Sequence, residues 1–206
     1  MEEIKSMLHL DALTVTGKTL GENLEELKNS GYYERCAEYL KPWKLKRTDI
    51  IRKFENPIGD NGTIAILRGN LAPGGSVVKH SAVPKEMFTA VLNARPFDSE
   101  EDAIAAVLHH EIQPGDAVFI RYEGPSGSGM PEMFYTTEAI ASDPELAKSI
   151  ALITDGRFSG ASKGPAIGHV SPEAAKGGPI ALVEEGDLIQ IDIPNRILAI
   201  VGVKGQ

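Results

Sequence analysis

The sequence has a single cysteine, Cys36, among 206 residues. One thiol excludes an internal disulfide framework and any all-cysteine metal site built from this chain alone. It fits a reducing compartment. Long apolar runs are missing too. No stretch approaches the roughly 18–20 apolar residues of a membrane span. The start, MEEIKSMLHLD, carries charges where a signal peptide needs an apolar run. Basic charge is scarce: 21 Lys and Arg against 29 Asp and Glu leave a net charge of −8. That is a poor basis for a nucleic-acid groove. There is no internal repeat and no low-complexity segment. The expectation is a soluble, cytoplasmic protein with no nucleic-acid and no membrane partner.

What is present is a globular composition, with 42% hydrophobic and 24% charged residues. The 21 glycines and 13 prolines recur without a fixed period. Collagen is excluded, and a turn-rich, strand-rich domain is predicted. The length suits one domain over 1–206, with a helical and connecting lead-in (1–55) and a core (60–206).

Residues 18–29 read as a helix, with Leu20, Leu24 and Leu27 on one face and Gly31 as a stop. The stretch from Lys41 to Lys53 is locally basic and reads as a solvated connector. From residue 63 the period changes. TIAILRG, SVVKHS and FTAVLNARPF read as strands separated by Gly and Pro signals. Residues 98–110 form the clearest helix. Asp98 or Ser99 caps it, and Ile104, Val107 and Leu108 make its buried stripe. His109 and His110 at its negative end suit a structural role better than metal binding. DAVFIRYEG and SIALITDG are further strands. The tail adds two or three antiparallel strands around Glu185-Gly186-Asp187 and Pro194-Asn195. Many short strands with few helices predict an α+β, barrel-like domain rather than a regular βαβ array.

Three segments invite chemistry. TVTGKTL contains Gly-Lys-Thr, but the glycine that a phosphate loop needs five residues before Gly17 is Ala12. A helix cap at Thr14 or Thr16 explains the segment. In RYEGPSGSGMPEMFYTTEA, a strand runs into a loop with Gly124, Gly127 and Gly129, which lets backbone N–H groups approach a ligand. Glu132 follows. It either turns to a pocket or a hard cation such as Mg²⁺, or caps the helix that runs through Ala139. In ITDGRFSGASKGPAIGHVSPEAAKGGPIA, a strand ends in a glycine loop studded with Arg157, Ser159, Ser162, Lys163 and His169. Ser159 suits a nucleophile, a base in alkoxide form or a hydrogen-bond donor, and as a base it needs positive charge beside it. The hydrolase elbow G-x-S-x-G is not met, because Arg157 stands two residues before Ser159. His169 is either a partner of Ser159 or a structural histidine. Ser171-Pro172-Glu173 reads as a helix start.

Taken together, HLDALTVTGKTLGENL, RYEGPSGSGMPEM and ITDGRFSGASKGPAIGHVSPEAAKGGPIALVEEGDLIQIDIPNR resemble the C-terminal domain of the dihydroxy-acid and phosphogluconate dehydratase family. The resemblance runs over nearly the whole chain. It implies a swivelling β/β/α, barrel-like fold with flanking helices. It implies dehydration of a 2,3-dihydroxy acid to a 2-keto acid, with an iron–sulfur cluster as Lewis acid and Mg²⁺ holding the substrate. By resemblance Glu132, in GMPEM, is a Mg²⁺ ligand and Ser159, in GRFSG, is the proton acceptor. Ser162, Arg157 and His169 are candidates for binding substrate.

The family's cluster cysteines, its other Mg²⁺ carboxylates and its metal-binding lysine lie in an N-terminal domain that this sequence does not contain. Cys36 matches none of the cluster positions. The chain is therefore expected to be a fragment or separated domain that partners such an N-terminal domain, is inactive alone, and forms a homodimer in the full-length enzyme. Branched-chain members carry Gly-Leu-Gly-Lys-Asp before the strand that precedes the serine. Here that segment reads ASDPELAKSIALITDG and is one residue longer, which favours the sugar-acid branch over branched-chain dihydroxy acids. A separately encoded, non-catalytic subunit with the 41–53 strip as its interface is the other reading. A serine hydrolase is the alternative enzyme class on chemistry alone. A generic ligand-binding module leaves the co-occurrence of GMPEM and GRFSG unexplained.

Overall fold

The computed structural model describes residues 1–59, 61–159 and 164–203. The chain divides into two compact units, 1–61 and 62–206. In the first, helices α1 (Leu20–Asn29), α2 (Tyr32–Leu40) and α3 (Arg47–Ile50) follow a hairpin-like turn. The turn is the Gly-Lys-Thr segment. Leu13 bridges Thr19, Thr14 N donates to Lys18 O, and Gly17 takes a left-handed φ of 78°. The cap of α1 is Thr19, not Thr14 or Thr16. Thr19 Oγ1 accepts from Glu22 N, and Glu22 Oε2 accepts from Thr19 N at 2.7 Å. This Thr-x-x-Glu box satisfies two end donors reciprocally. The Thr19 backbone and hydroxyl bonds hold the Glu22 carboxyl below its usual range. Within this unit the basic strip is partly neutralised, since Arg47 pairs with Glu3 and Lys41 with Glu38.

The second unit is built on one sheet. Its strands are β1 (Ile64–Leu67), β2 (Gly75–Lys79), β3 (Thr89–Phe97), β4 (Asp116–Ile120), β5 (Ala151–Thr154), β6 (Ala166–Ser171), β7 (Leu188–Asp192) and β8 (Ile197–Gly202). The order across the sheet is β1-β2-β6-β5-β4-β3-β7-β8. The four central strands β3 to β6 are parallel, and antiparallel pairs flank them. The sheet curls until its edges nearly meet. Leaving β1, Arg68 N donates to Arg196 O at 2.8 Å and Arg68 O accepts from Leu198 N at 2.9 Å. Asn70 then exchanges two 2.8 Å bonds with the Ile200 backbone. Closure gives the unpaired donors and acceptors of the edges partners. This is the α+β, barrel-like architecture with flanking helices that the strand punctuation predicts.

Period-two alternation fills the barrel with Leu67, Val78, Leu92, Phe119, Ile153, Ile167, Ile189 and Leu198. The opposite faces of β4 and β5 carry Val118, Ile120 and Leu152. They are covered by α4 (Glu100–Leu108), α5 (Phe134–Ala141) and α6 (Leu146–Ser149). Burial on both faces explains why β4 and β5 read as unbroken apolar runs. Helix α4 is capped by Ser99, whose hydroxyl accepts from Asp102 N. Its inner face is Ala103, Ala106 and Val107. Leu108 is 63% exposed and only Val107 of the expected stripe is fully buried, because small alanines let the helix lie close to the sheet. PIAL (179–182) forms a short helical turn with Pro at its start rather than a strand, so two strands follow it. After Pro172 the expected helix is a single turn, Ala174–Lys176. No helix among the described residues is long and apolar enough to cross a membrane.

The closure generates a prediction. A Cβ at Gly69 would lie 2.1 Å from Leu198 O. Gly69→Ala should cost about 3 kcal/mol by overpacking. Thermal unfolding should show a midpoint lowered by roughly 6–12 °C. An unchanged midpoint would mean that the edges need not meet for stability.

Candidate functional site

Parallel β3 to β6 send their carboxyl ends to one edge of the sheet, where ligands of such sheets bind. The loop after β4 (121–133), the start of the loop after β5 (155–159) and the turn after β6 (172–178) meet there. Their backbones carry donors that the strands no longer satisfy. Asp155, 2% exposed, takes three of them. Its carboxylate accepts from Tyr122 N at 3.2 Å, Glu123 N at 3.0 Å and Ala174 N at 2.8 Å. Glu123, also buried, accepts from Glu100 N at 3.2 Å and from the Ser128 hydroxyl. The same loop is thereby tied to the first turn of α4.

The glycine loop differs from its sequence reading. Gly127 N and Gly129 N both donate to Gly124 O, and Ser128 N donates to Tyr122 O. Ser126 N donates to both Glu173 carboxylate oxygens. These four N–H groups are spent within the protein, so the loop's small residues serve close packing instead. A Cβ at Gly127 would fall 2.0 Å from Tyr122 O, and one at Gly124 would fall 2.0 Å from Glu173 Oε2. Hydrogen bonding by Ser126, side chain ahead of backbone, with Lys176 adding its charge, holds the Glu173 carboxyl below its usual range.

Glu132 lies in an isolated bridge with Arg157, which sets the end of the β4 loop beside the β5 loop, two residues before Ser159. Helix α5 has Met133 at its cap position with no side-chain cap bond, so Glu132 does not cap it. Its carboxylate is exposed, and among the described residues neither oxygen is engaged. That leaves both for a hard cation, the donor type that Mg²⁺ prefers. Among the described residues no three His, Cys, Asp or Glu side chains gather into a metal-holding group. Glu132 can therefore contribute one ligand, not a full coordination sphere. Arg157 is exposed and forms no ion pair among the described residues.

Ser159 lines a cavity of about 150 Å³ with Lys79, Phe158, His169, Ile64, Val77 and Ala82. His169 also lines a second cavity, of about 380 Å³, with Asp155, Glu173, Lys176 and Met130. The His169 backbone is left-handed, at φ 56°, and its N–H donates to Gly156 O at 2.8 Å. The site thus joins Ser159 and His169 around one cavity and brings Glu132 and Arg157 backbone to backbone. Ser162 and Lys163 lie outside the described residues. Sequence reasoning assigned nothing to Asp155 or Glu173. The available signal was an acidic residue just past a parallel strand in each case.

The Asp155 bonds generate a prediction. Asp155→Asn keeps the shape but leaves one acceptor oxygen for three donors. Denaturant unfolding at pH 7 should show a loss of about 2–4 kcal/mol. A loss under about 0.5 kcal/mol, the scale of a surface change, would show that the loops are held by other contacts.

The profile of the family described as dihydroxy-acid/6-phosphogluconate dehydratase C-terminal matches residues 49–204. The chain is 53% identical over 199 residues to "Dihydroxy-acid dehydratase 1" of Methanosarcina acetivorans, which covers 96% of this chain and 34% of that protein. It is 55% identical over 190 residues to a dihydroxy-acid dehydratase of Agathobacter rectalis, covering 92% of this chain and 31% of that protein. It is 54% identical over 192 residues to one from Acetivibrio thermocellus, covering 93% and 32%. The chain spans about a third of the length of these curated relatives. None of the three names points to a sugar acid, the branch that segment 141–156 favours on sequence. Residues 142–150 of that segment build α6 and enter β5 from its amino end, on the edge away from Ser159, and only its last two residues pass the carboxyl end. By the profile match and these identities, the chain belongs to the dihydroxy-acid/6-phosphogluconate dehydratase C-terminal family.

Proposed function

We propose that this chain supplies the proton-accepting serine and one Mg²⁺ carboxylate of a hydro-lyase that converts a 2,3-dihydroxy acid to a 2-keto acid. The observation that carries this reading is the Glu132–Arg157 bridge, which sets the carboxylate's loop beside the loop that presents Ser159. In the reaction Ser159 Oγ, as alkoxide, accepts the C2 proton. The C3 hydroxyl departs as water with the proton that Ser159 took up, which restores the alkoxide. The remaining enol gains a proton at C3 and loses the proton of its C2 hydroxyl, which gives the 2-keto acid. Serine is a weak base and needs positive charge nearby. Lys79 and His169 line the same cavity as Ser159 and are the candidates for that charge. When bound at Glu132, Mg²⁺ polarises the substrate and acidifies its C2 proton. Arg157 and His169 are assigned to the substrate's carboxylate and hydroxyls, together with Ser162. An iron–sulfur cluster takes three or four protein ligands, mostly thiolates. Cys36 is this chain's one thiol, on α2 of the first unit, so these residues do not fit a cluster and a cluster would be held from outside the chain. That agrees with an N-terminal domain as partner.

The cavity supports a branched-chain dihydroxy acid over a sugar acid. Its walls include Ile64, Val77, Ala82 and Phe158. Alkyl groups gain by burial against such walls, whereas each sugar hydroxyl would need a polar partner there. The names of the relatives point the same way.

In the full-length enzyme that carries this chain, Ser159→Ala should lower kcat about 10³-fold with little change in KM. The unmodified enzyme should prefer 2,3-dihydroxy-3-methylbutanoate to xylonate by about 10²-fold in kcat/KM. Full activity of Ser159→Ala would remove the serine from the chemistry. A preference for xylonate would restore the sugar-acid branch.

A further inference from the structure

Glu173 lines the second cavity with His169, and its carboxylate is spent on one specific contact. From the turn after β6 it reaches the glycine loop after β4. Both of its oxygens receive the Ser126 N–H, at 3.1 and 3.0 Å. The origin of the side chain is fixed as well, because Glu173 O accepts from Lys176 N at 3.1 Å and from Gly178 N at 3.0 Å. On the loop side the fit is tight: a Cβ at Gly124 would lie 2.0 Å from Glu173 Oε2. The neighbouring N–H groups of the loop, at Gly127, Ser128 and Gly129, are turned inward to the loop's own carbonyls. Ser126 N–H is the handle by which another element grips the middle of the loop. Asp155 grips only its base, at Tyr122 and Glu123. Past the grip the chain runs through Met130, left-handed at φ 62°, to Glu132.

We propose that Glu173 is a positioning residue for the metal-binding carboxylate: by clasping Ser126 it fixes the loop that delivers Glu132, and so sets the affinity for Mg²⁺ rather than the rate of the chemical step. This rests on the proposed Mg²⁺ role of Glu132. Outer residues that orient a ligand typically matter by about 10–100-fold in metal affinity. The loop leaves the chemistry to Ser159, which stands on a different loop.

The test uses the full-length enzyme with Glu173→Ala, Glu173→Gln and Gly124→Ala. The last attacks the same contact from the opposite side. Two readouts are taken: calorimetric titration with Mg²⁺, and amide hydrogen exchange of a peptide spanning residues 122–130. Glu173→Ala and Gly124→Ala should each weaken Mg²⁺ binding about 10-fold and speed exchange of that peptide, with kcat retained at saturating Mg²⁺. Glu173→Gln keeps an acceptor oxygen and should show a smaller effect of the same sign. If Glu173→Ala does not fold, the Gln variant decides. Unchanged Mg²⁺ affinity and unchanged exchange in a folded variant overturn the proposal. So does a loss of kcat with Mg²⁺ affinity intact. Failure of the underlying reading is seen separately, as intact Mg²⁺ binding in Glu132→Gln. In that case the exchange data alone still report whether Glu173 holds the loop.

Discussion

Three backbone N–H groups from two separate segments end on the single buried carboxylate of Asp155. A parallel sheet creates the need for it. At the carboxyl edge the strands part, and the first donors of each outgoing loop lose their ladder partners while still buried. A buried anion is costly alone, but charge-assisted bonds to several N–H groups offset that cost. One side chain thus satisfies the exit of β4 and the turn after β6 from the end of β5. The loops that carry Glu132 and Ser159 start from this joint.

The rest of the edge leaves those loops little play. Gly127 lies against the Tyr122 carbonyl, Gly156 against Glu123, and Gly178 against the Pro172 carbonyl, each without room for a Cβ. Tyr122, Met130 and His169 hold left-handed backbones, a conformation that costs energy outside glycine and gathers at functional sites. Their surroundings over-determine them: closed barrel below, helix α4 tied through Glu123 on one side, and the Glu173 turn on the other. Such rigidity suits the proposed reaction, in which a base and a cation must meet the same substrate, because misplacement of about 1 Å is costly in rate.

The elements legible in the sequence were those with local causes. Helix α4 announced itself through Ser99 and its run of acids, and β4 and β5 through apolar stretches that need cover on both faces. Turn punctuation gave the barrel-like class. Strand β6 stayed hidden because Gly168 and His169 interrupt its alternation and its partners are β2 and β5. The inner face of α4 was misjudged because close packing selected Ala103 and Ala106 over Leu108. At the candidate site, the motifs pointed to Glu132 and Ser159, but Asp155 and Glu173 act on backbone 32 and 47 residues away. No local pattern records such a partner. For the substrate branch, the part of segment 141–156 that precedes β5 lies at the amino end of that strand, opposite the edge that carries Ser159.

Function in this chain is a matter of presentation. The barrel brings Glu132 and Ser159 to one edge, and among the described residues no three His, Cys, Asp or Glu side chains gather there into a metal-holding group. The most direct measurement is an experimental structure of the full-length enzyme with Mg²⁺ and a bound 2-keto acid product. The expected result is a Glu132 oxygen about 2.1 Å from the cation and Ser159 Oγ within about 3.5 Å of the product's C2. A cation coordinated without Glu132, or a product whose C2 lies against another residue, would contradict the assignment.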